Sequence, residues 1–217
     1  MILAVNKPPG ISSFDVIRIF KKKNGFKSKV GHAGTLDPFA EGLLILLTDE
    51  DTKRFEEFQQ YPKTYLAGVK LGWKSNTLDI EGKLEKGQIN EFNQSQLKEK
   101  LKNFIGQIEQ KIPAFSAAKF KGKPLYKYAL EGKKVKKTKP TRIYDIQLIS
   151  QLRSLVYLRF KVSSGTYIRQ LCIDIFKSLG IDCFVFYLKR EAIGEITLEQ
   201  TNRIENLSPT KLKTLAL

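Results

Sequence analysis

The chain has 217 residues, 41% of them hydrophobic, enough for one large packed domain or two small ones, so disorder is excluded as a description of the whole. Lys and Arg number 38 against 22 Asp and Glu, a formal net charge of +16, and a field of that sign attracts polyanions. Cys172 and Cys183 lie in apolar stretches without ligand spacing, no basic leader opens the chain, and no run approaches the roughly 18 apolar residues of a membrane span. These features predict a cytoplasmic protein without disulfide framework, zinc centre or membrane association.

Ser12 or Ser13 is placed to cap a helix whose apolar side is Phe14, Val16, Ile17 and Phe20, with Asn24-Gly25 as its stop. Lys27 and Lys29 then lead into GHAGTLDP, residues 31–38. Gly31 and Gly34 would let the backbone turn where a side chain clashes, and Pro38 pushes Asp37 toward an extended conformation. A carboxylate held that way can be aimed. LLILL, residues 43–47, reads as a buried strand, and Asp49-Glu50-Asp51 favours the start of a helix running through Phe55 and Phe58. Tyr65, Ala67, Val69 and Leu71 alternate as a strand with Tyr65 at its beginning, followed by a loop from Gly72 through WKSNTLDIEG. Ser95 is expected to cap a peripheral helix carrying Leu97, Leu101, Phe104 and Ile105, ended by Gly106.

Residues 117–142 hold ten Lys or Arg against a single acid, Glu131. Phe120, Tyr126 and Tyr128 are interleaved with Lys119, Lys121 and Lys123, a mixture that offers phosphate neutralisation and stacking surfaces together and so suits nucleic acid. Val156, Leu158, Phe160 and Val162 alternate as a strand. After Ser163-Ser164-Gly165 comes a helix with Ile168, Leu171, Cys172, Ile175, Phe176 and Leu179 on one face. Arg169 lies roughly 80° from the centre of that stripe, in the first turn, where a cation opposes the helix dipole and calls for an anionic partner from elsewhere. CFVFYL, residues 183–188, is a further strand candidate.

A buried arginine keeps a nearby carboxylate ionised, so Asp37 with Arg169 would make a nucleophile or base at neutral pH without metal or cofactor. His32 is open to three readings: general base, RNA contact or structural filler. No serine elbow, phosphate loop or dinucleotide fingerprint occurs.

VNKPPGISS (5–13), GHAGTLDPFAEGLL (31–44), YPKTYLAGVKLG with the following Thr77, Asp79 and Gly82, IPAFSAAKFKGKPLYKYALEG (112–132), SSGTYIRQL (163–171) and YLKR (187–190) stand in this order along the chain. Together they resemble the successive motifs of the TruB-type tRNA pseudouridine synthases. The resemblance implies an α+β pseudouridine synthase fold on a mixed, largely antiparallel sheet. It implies cofactor-free isomerisation of the T-loop uridine at tRNA position 55. By carry-over, Asp37 is the catalytic aspartate, Tyr65 stacks near the target base and assists proton removal from C5, and Arg169 pairs with Asp37. Leu188 packs around the flipped base and His32 occupies the space it vacates. The expected domain spans residues 1–217, with a basic RNA-binding insertion at about 112–140 in which Lys119, Lys121, Lys123 and Tyr126 contact RNA, mobile until tRNA binds.

Four positions depart from the family pattern: Ala33 for threonine, Phe115 for tyrosine, Lys189 for arginine, and Thr48-Asp49 for Leu-Gly. The stretch after Arg190 is too short for the small RNA-binding PUA domain that many members append, so affinity would rest on the basic catalytic domain itself. The expected partner is the T-arm and T-loop of tRNA, met by a monomer. Two rival readings are a non-catalytic RNA binder, which has no use for an aimed carboxylate, and a phosphate-transfer enzyme, for which no residue set is visible.

Overall fold

A computed structural model describes residues 1–207 of the chain, so residues 208–217 of the expected 1–217 domain lie outside the described residues. In chain order the elements are β1 (Ile2–Lys7), α1 (Ser13–Asn24), β2 (Val30–His32), β3 (Glu41–Thr48), a 3-10 turn at Asp49–Arg54, α2 (Phe55–Gln60), β4 (Lys63–Leu71), β5 (Trp73–Ser75) and β6 (Leu84–Lys86). Then come α3 (Gln94–Lys102), β7 (Gly106–Lys111), β8 (Lys119–Phe120), β9 (Lys123–Pro124), α4 (Leu125–Leu130), β10 (Thr138–Leu152) and β11 (Leu155–Val162). The chain continues through α5 (Ile168–Lys177), β12 (Cys183–Ile193), β13 (Ile196–Thr197) and β14 (Asn202–Arg203). Two compact units divide it: residues 1–66 with 163–165 and the chain from Leu188 onward, and residues 67–162 with 166–187.

In the first unit β1 lies between β14, parallel to it, and β3, antiparallel to it, while β2 adds to β3 and the end of β12 runs parallel to β3. The continuous apolar run of β3 follows from this place. Leu43, Ile45 and Leu47 face a core with Ile2, Ala4, Phe58, Ile193 and Ile196, while Leu44 and Leu46 face another with Leu3, Val5, Val16, Ile17 and Phe20. A strand covered on both faces has no polar side to show. Ser12 caps α1 in a capping box with Asp15, and Gly25, at φ 59, closes it in the left-handed conformation.

In the second unit β10 pairs antiparallel with β11 on one side and β7 on the other. Helix α5 buries Ile168, Arg169, Leu171, Cys172, Ile175 and Phe176, the expected stripe and its flanking arginine, but it ends at Lys177, so Leu179, expected on that stripe, lies in the following turn. The fold class is α+β on a mixed, largely antiparallel sheet, as the sequence led us to expect.

Several local expectations need correction. Asn93, rather than Ser95, caps α3 in a capping box with Gln96, and the helix ends at Lys102, before Phe104 and Ile105. The loop after Gly72 contains β5, which pairs with β6 in a small hairpin. A 3-10 turn precedes α2, and Phe55 is exposed while Phe58 is buried. Among the described residues no helix is long and apolar enough to cross a membrane, and no cluster of three or more His, Cys, Asp or Glu side chains could hold a metal.

Candidate active site

Asp37 sits half-buried on the irregular loop between β2 and β3, and the backbone on both sides of it is tied down. The Ser13 hydroxyl donates to Leu36 O at 3.2 Å and accepts from Leu36 N at 2.9 Å. Beyond Asp37, Pro38 O accepts from Gly10 N at 2.9 Å and from Lys7 Nζ at 3.1 Å. Lys7 is fully buried at the end of β1, and its ammonium also donates to Pro8 O at 2.9 Å and Ile11 O at 2.7 Å. The two serines of the first motif thus divide their work: Ser12 caps the helix and Ser13 holds the loop. Gly34 takes φ 95, which explains its glycine, whereas Gly31 is an ordinary strand residue whose added Cβ would meet nothing within 4 Å. The expectation that both glycines are sterically required is therefore corrected at Gly31.

Arg190 organises the rest of this unit's site, although sequence reading quoted it within a motif and gave it no role. Its side chain is fully buried in β12, donating from Nε to Leu43 O at 2.7 Å, from Nη2 to Gly34 O at 3.0 Å and from Nη1 to the Tyr65 hydroxyl at 3.5 Å. Strand alternation puts Leu188, also buried, on the same face as Arg190. The signal available in the sequence was an arginine two residues after the leucine that ends the apolar run CFVFYL. An alanine Cβ at Gly42, where φ is 109, would lie 2.3 Å from Arg190 O, so that glycine is what lets β3 and β12 approach here.

Burial first, and the Arg190 charge second, lower the pKa of His32, which favours a neutral imidazole near pH 7. Its Nδ1 is buried without a hydrogen-bond partner among the described residues. Lys63, at the start of β4, is buried as well and donates to Phe58 O and Tyr61 O, each at 2.7 Å. Burial, with the Arg190 charge as the smaller cause, brings its pKa down to about 8.

Arg169 lies in the second unit and has the anionic partner that its place on α5 demands. That partner is Asp79: the two buried side chains form an ion pair at 2.8 Å. The guanidinium also donates to Thr77 O at 2.7 Å and Phe115 O at 3.0 Å, while Asp79 accepts from Thr77 Oγ1 at 2.6 Å and Glu81 N at 3.0 Å. Thr77 and Asp79 stood among the quoted motif residues without a role, and the structure supplies one. Through Phe115 the guanidinium also reaches the beginning of the basic segment.

That segment is a two-strand ribbon, β8 with β9, followed by α4. Lys119, Lys121 and Tyr126 are exposed and Lys123 is half-buried. The structure thus places His32, Asp37, Tyr65 and Leu188 in one unit, with Arg190 touching the Asp37 loop and Tyr65. Arg169, Lys119, Lys121, Lys123 and Tyr126 fall in the other.

Residues 18–168 match the model of the TruB family pseudouridylate synthase N-terminal domain. The chain is 39% identical over 208 residues to tRNA pseudouridine synthase B of Caldicellulosiruptor saccharolyticus, covering 95% of this chain and 72% of that one. It is 35% identical to the Chloroherpeton thalassium protein of the same name, covering 98% and 90%, and 40% identical to that of Parabacteroides distasonis, covering 91% and 87%. Among solved structures, it is similar to a chain of an H/ACA ribonucleoprotein bound to a substrate RNA containing 2′-deoxyuridine, with TM-score 0.70, 22% identity, and coverage of 94% of this chain and 51% of that one. An archaeal box H/ACA ribonucleoprotein gives the same TM-score at 95% and 52% coverage, so this chain spans about half the length of those proteins. The chain belongs to the TruB family of pseudouridylate synthases.

Proposed function

We propose that this chain isomerises uridine to pseudouridine in tRNA, at T-loop position 55, without metal or cofactor. The observation that carries the reading is a half-buried carboxylate, Asp37, on a loop whose backbone is tied on both sides by buried donors, in a chain of this family. Asp37 attacks the sugar or the base, and the N-glycosidic bond breaks. The freed uracil turns, C5 bonds to the sugar as Asp37 is released, and the C5 proton leaves while N1 takes up a proton.

A base inside a folded RNA loop must first leave its stack, at a cost of a few kcal/mol that stacking and phosphate contacts offset. Leu188 and Tyr65 receive the flipped base, and His32, largely neutral near pH 7, fills the space it leaves. Arg169, oriented by Asp79, pairs with Asp37 and keeps it ionised. Lys119, Lys121, Lys123 and Tyr126 meet the T-arm, in a segment at about 112–140 that stays mobile until tRNA binds. The protein acts in the cytoplasm as a monomer, and log affinity falls steeply with log salt.

The test is tritium release from C5-labelled uridine in a tRNA transcript. Asp37→Asn is expected to lose release by three or more orders of magnitude while keeping tRNA affinity within a few-fold. Equal release from both proteins would sink the assignment, and no release from either would leave an RNA binder. Unchanged hydrogen exchange over residues 112–140 on adding tRNA would remove the mobile-segment part.

A further inference from the structure

Glu131 is the single acid among ten basic residues between positions 117 and 142. Its two carboxylate oxygens are used separately: Oε1 takes the Lys123 ammonium, and Oε2 takes that of Lys133 at 3.2 Å. One anionic group bridging two ammoniums is the arrangement an RNA phosphate makes with its two non-bridging oxygens. We propose that Glu131 is a built-in stand-in for a phosphate, holding Lys123 and Lys133 in the free protein and setting how selectively the basic segment accepts RNA. This rests on the reading that the segment contacts RNA.

Three observations favour a stand-in over a structural tie. First, the framework around the pair is held by other contacts. The Tyr128 hydroxyl donates to Phe120 O at 3.2 Å, the two rings meet edge to face at 5.9 Å, and Lys137 Nζ donates to Lys119 O at 3.0 Å. The turn that carries Glu131 and Lys133 is closed by the backbone, with Glu131 N donating to Tyr128 O at 3.1 Å and Lys133 N to the same carbonyl at 2.9 Å. Second, Lys123 keeps a second support when the carboxylate leaves, since its ammonium sits 4.9 Å from the centre of the Tyr128 ring. Third, Glu131 and Lys133 are exposed and Lys123 is half-buried, so the pairs are weak enough for a phosphate to exchange with them.

The selectivity follows from charge. The carboxylate stays ionised, because hydrogen bonds from Lys123 and Lys133 hold it below the usual carboxylate range. An RNA backbone that reaches both lysines recovers both contacts on displacing it. One that reaches a single lysine faces a remaining negative charge. A folded arm presenting phosphates at fixed spacing is therefore favoured over a flexible strand.

The experiment uses the full chain with two RNAs, a tRNA transcript and an unstructured oligouridylate, at low and high salt. Glu131→Gln is expected to bind tRNA about 3-fold tighter at low salt and the oligouridylate by a larger factor, with both gains shrinking at high salt. Glu131→Asp, which keeps the charge, should stay near wild type. Affinity unchanged or weakened in a folded Glu131→Gln protein, checked by circular dichroism, would overturn the proposal. Lys123→Gln separates the two levels. If it leaves tRNA binding unchanged, the RNA-contact reading itself fails, whereas weaker binding there with no gain in Glu131→Gln fails the stand-in alone.

Discussion

The Asp37 loop and the basic segment use the same residue type, lysine, in opposite ways. Lys7 and Lys63 are buried, and their hydrogen bonds run to backbone carbonyls of their own unit, fixing where the chain passes. Lys119 and Lys121 point outward, and Lys123 and Lys133 pair with one carboxylate near the surface. A buried ammonium is costly to desolvate and holds its place only when several acceptors surround it, whereas an exposed one exchanges partners readily. The contrast separates lysines that fix the course of the backbone from lysines that the fold leaves at the surface.

The sharpest stability test of the first region is Gly42→Ala. The new Cβ would meet backbone at a φ of 109, so neither side-chain rotation nor a rotamer change relieves it. A loss of about 3 kcal/mol or more in urea unfolding is expected, and a loss under about 0.5 kcal/mol would mean that the β3 to β12 approach is soft. Next comes Lys7→Met, which strips the ammonium from Pro8 O, Ile11 O and Pro38 O, although Pro38 O keeps Gly10 N. It should cost about 2–3 kcal/mol.

Lys63 gives a smaller, pH-dependent effect. Its pKa falls from 10.5 to about 8 in the fold, so the unfolded chain binds more protons between those values. The handicap of burying this charge is complete below pH 8 and is relieved as pH rises toward 10.5. Comparing urea midpoints at pH 7 and pH 9.5, wild type should gain stability relative to Lys63→Met, and parallel behaviour would contradict the shift. The smallest effect is expected from Tyr128→Leu in the basic segment. It should lower global stability by less than about 1 kcal/mol while weakening tRNA binding, and a larger loss would erase the contrast between the two regions.

How far the fold could be read in advance depended on whether local chemistry had a rival. Helix α1 was legible in its bounds, from the Ser12 cap and Asn24-Gly25, and in Val16, Ile17 and Phe20, whereas Phe14, expected on the same apolar side, is exposed beneath the Arg18 guanidinium. Strand β10 went unread: its first residues carry Lys139 and Arg142, and alternation on a half-exposed strand is masked when the outward positions are this charged. For α3 the sequence pointed to Ser95, but the reciprocal bonds with Gln96 make Asn93 the cap. At the site, the turn that carries Asp37 was legible from Gly34 and Pro38. The roles of Asp79 and Arg190 were not, because a partner 90 residues away, or a carbonyl 147 residues away, leaves no local pattern.

Those separations have a consequence for the order of assembly during synthesis. Gly34 O and Leu43 O receive their guanidinium from a residue 156 and 147 positions later in the chain. At ribosomal rates of about 5–20 residues per second, the delay is on the order of ten seconds. A nascent chain emerging from the ribosome therefore carries Asp37 long before Arg190 exists to brace its loop. The carboxylate is made early and seated late, so a chain cut short before β12 would carry Asp37 without the guanidinium that braces its loop.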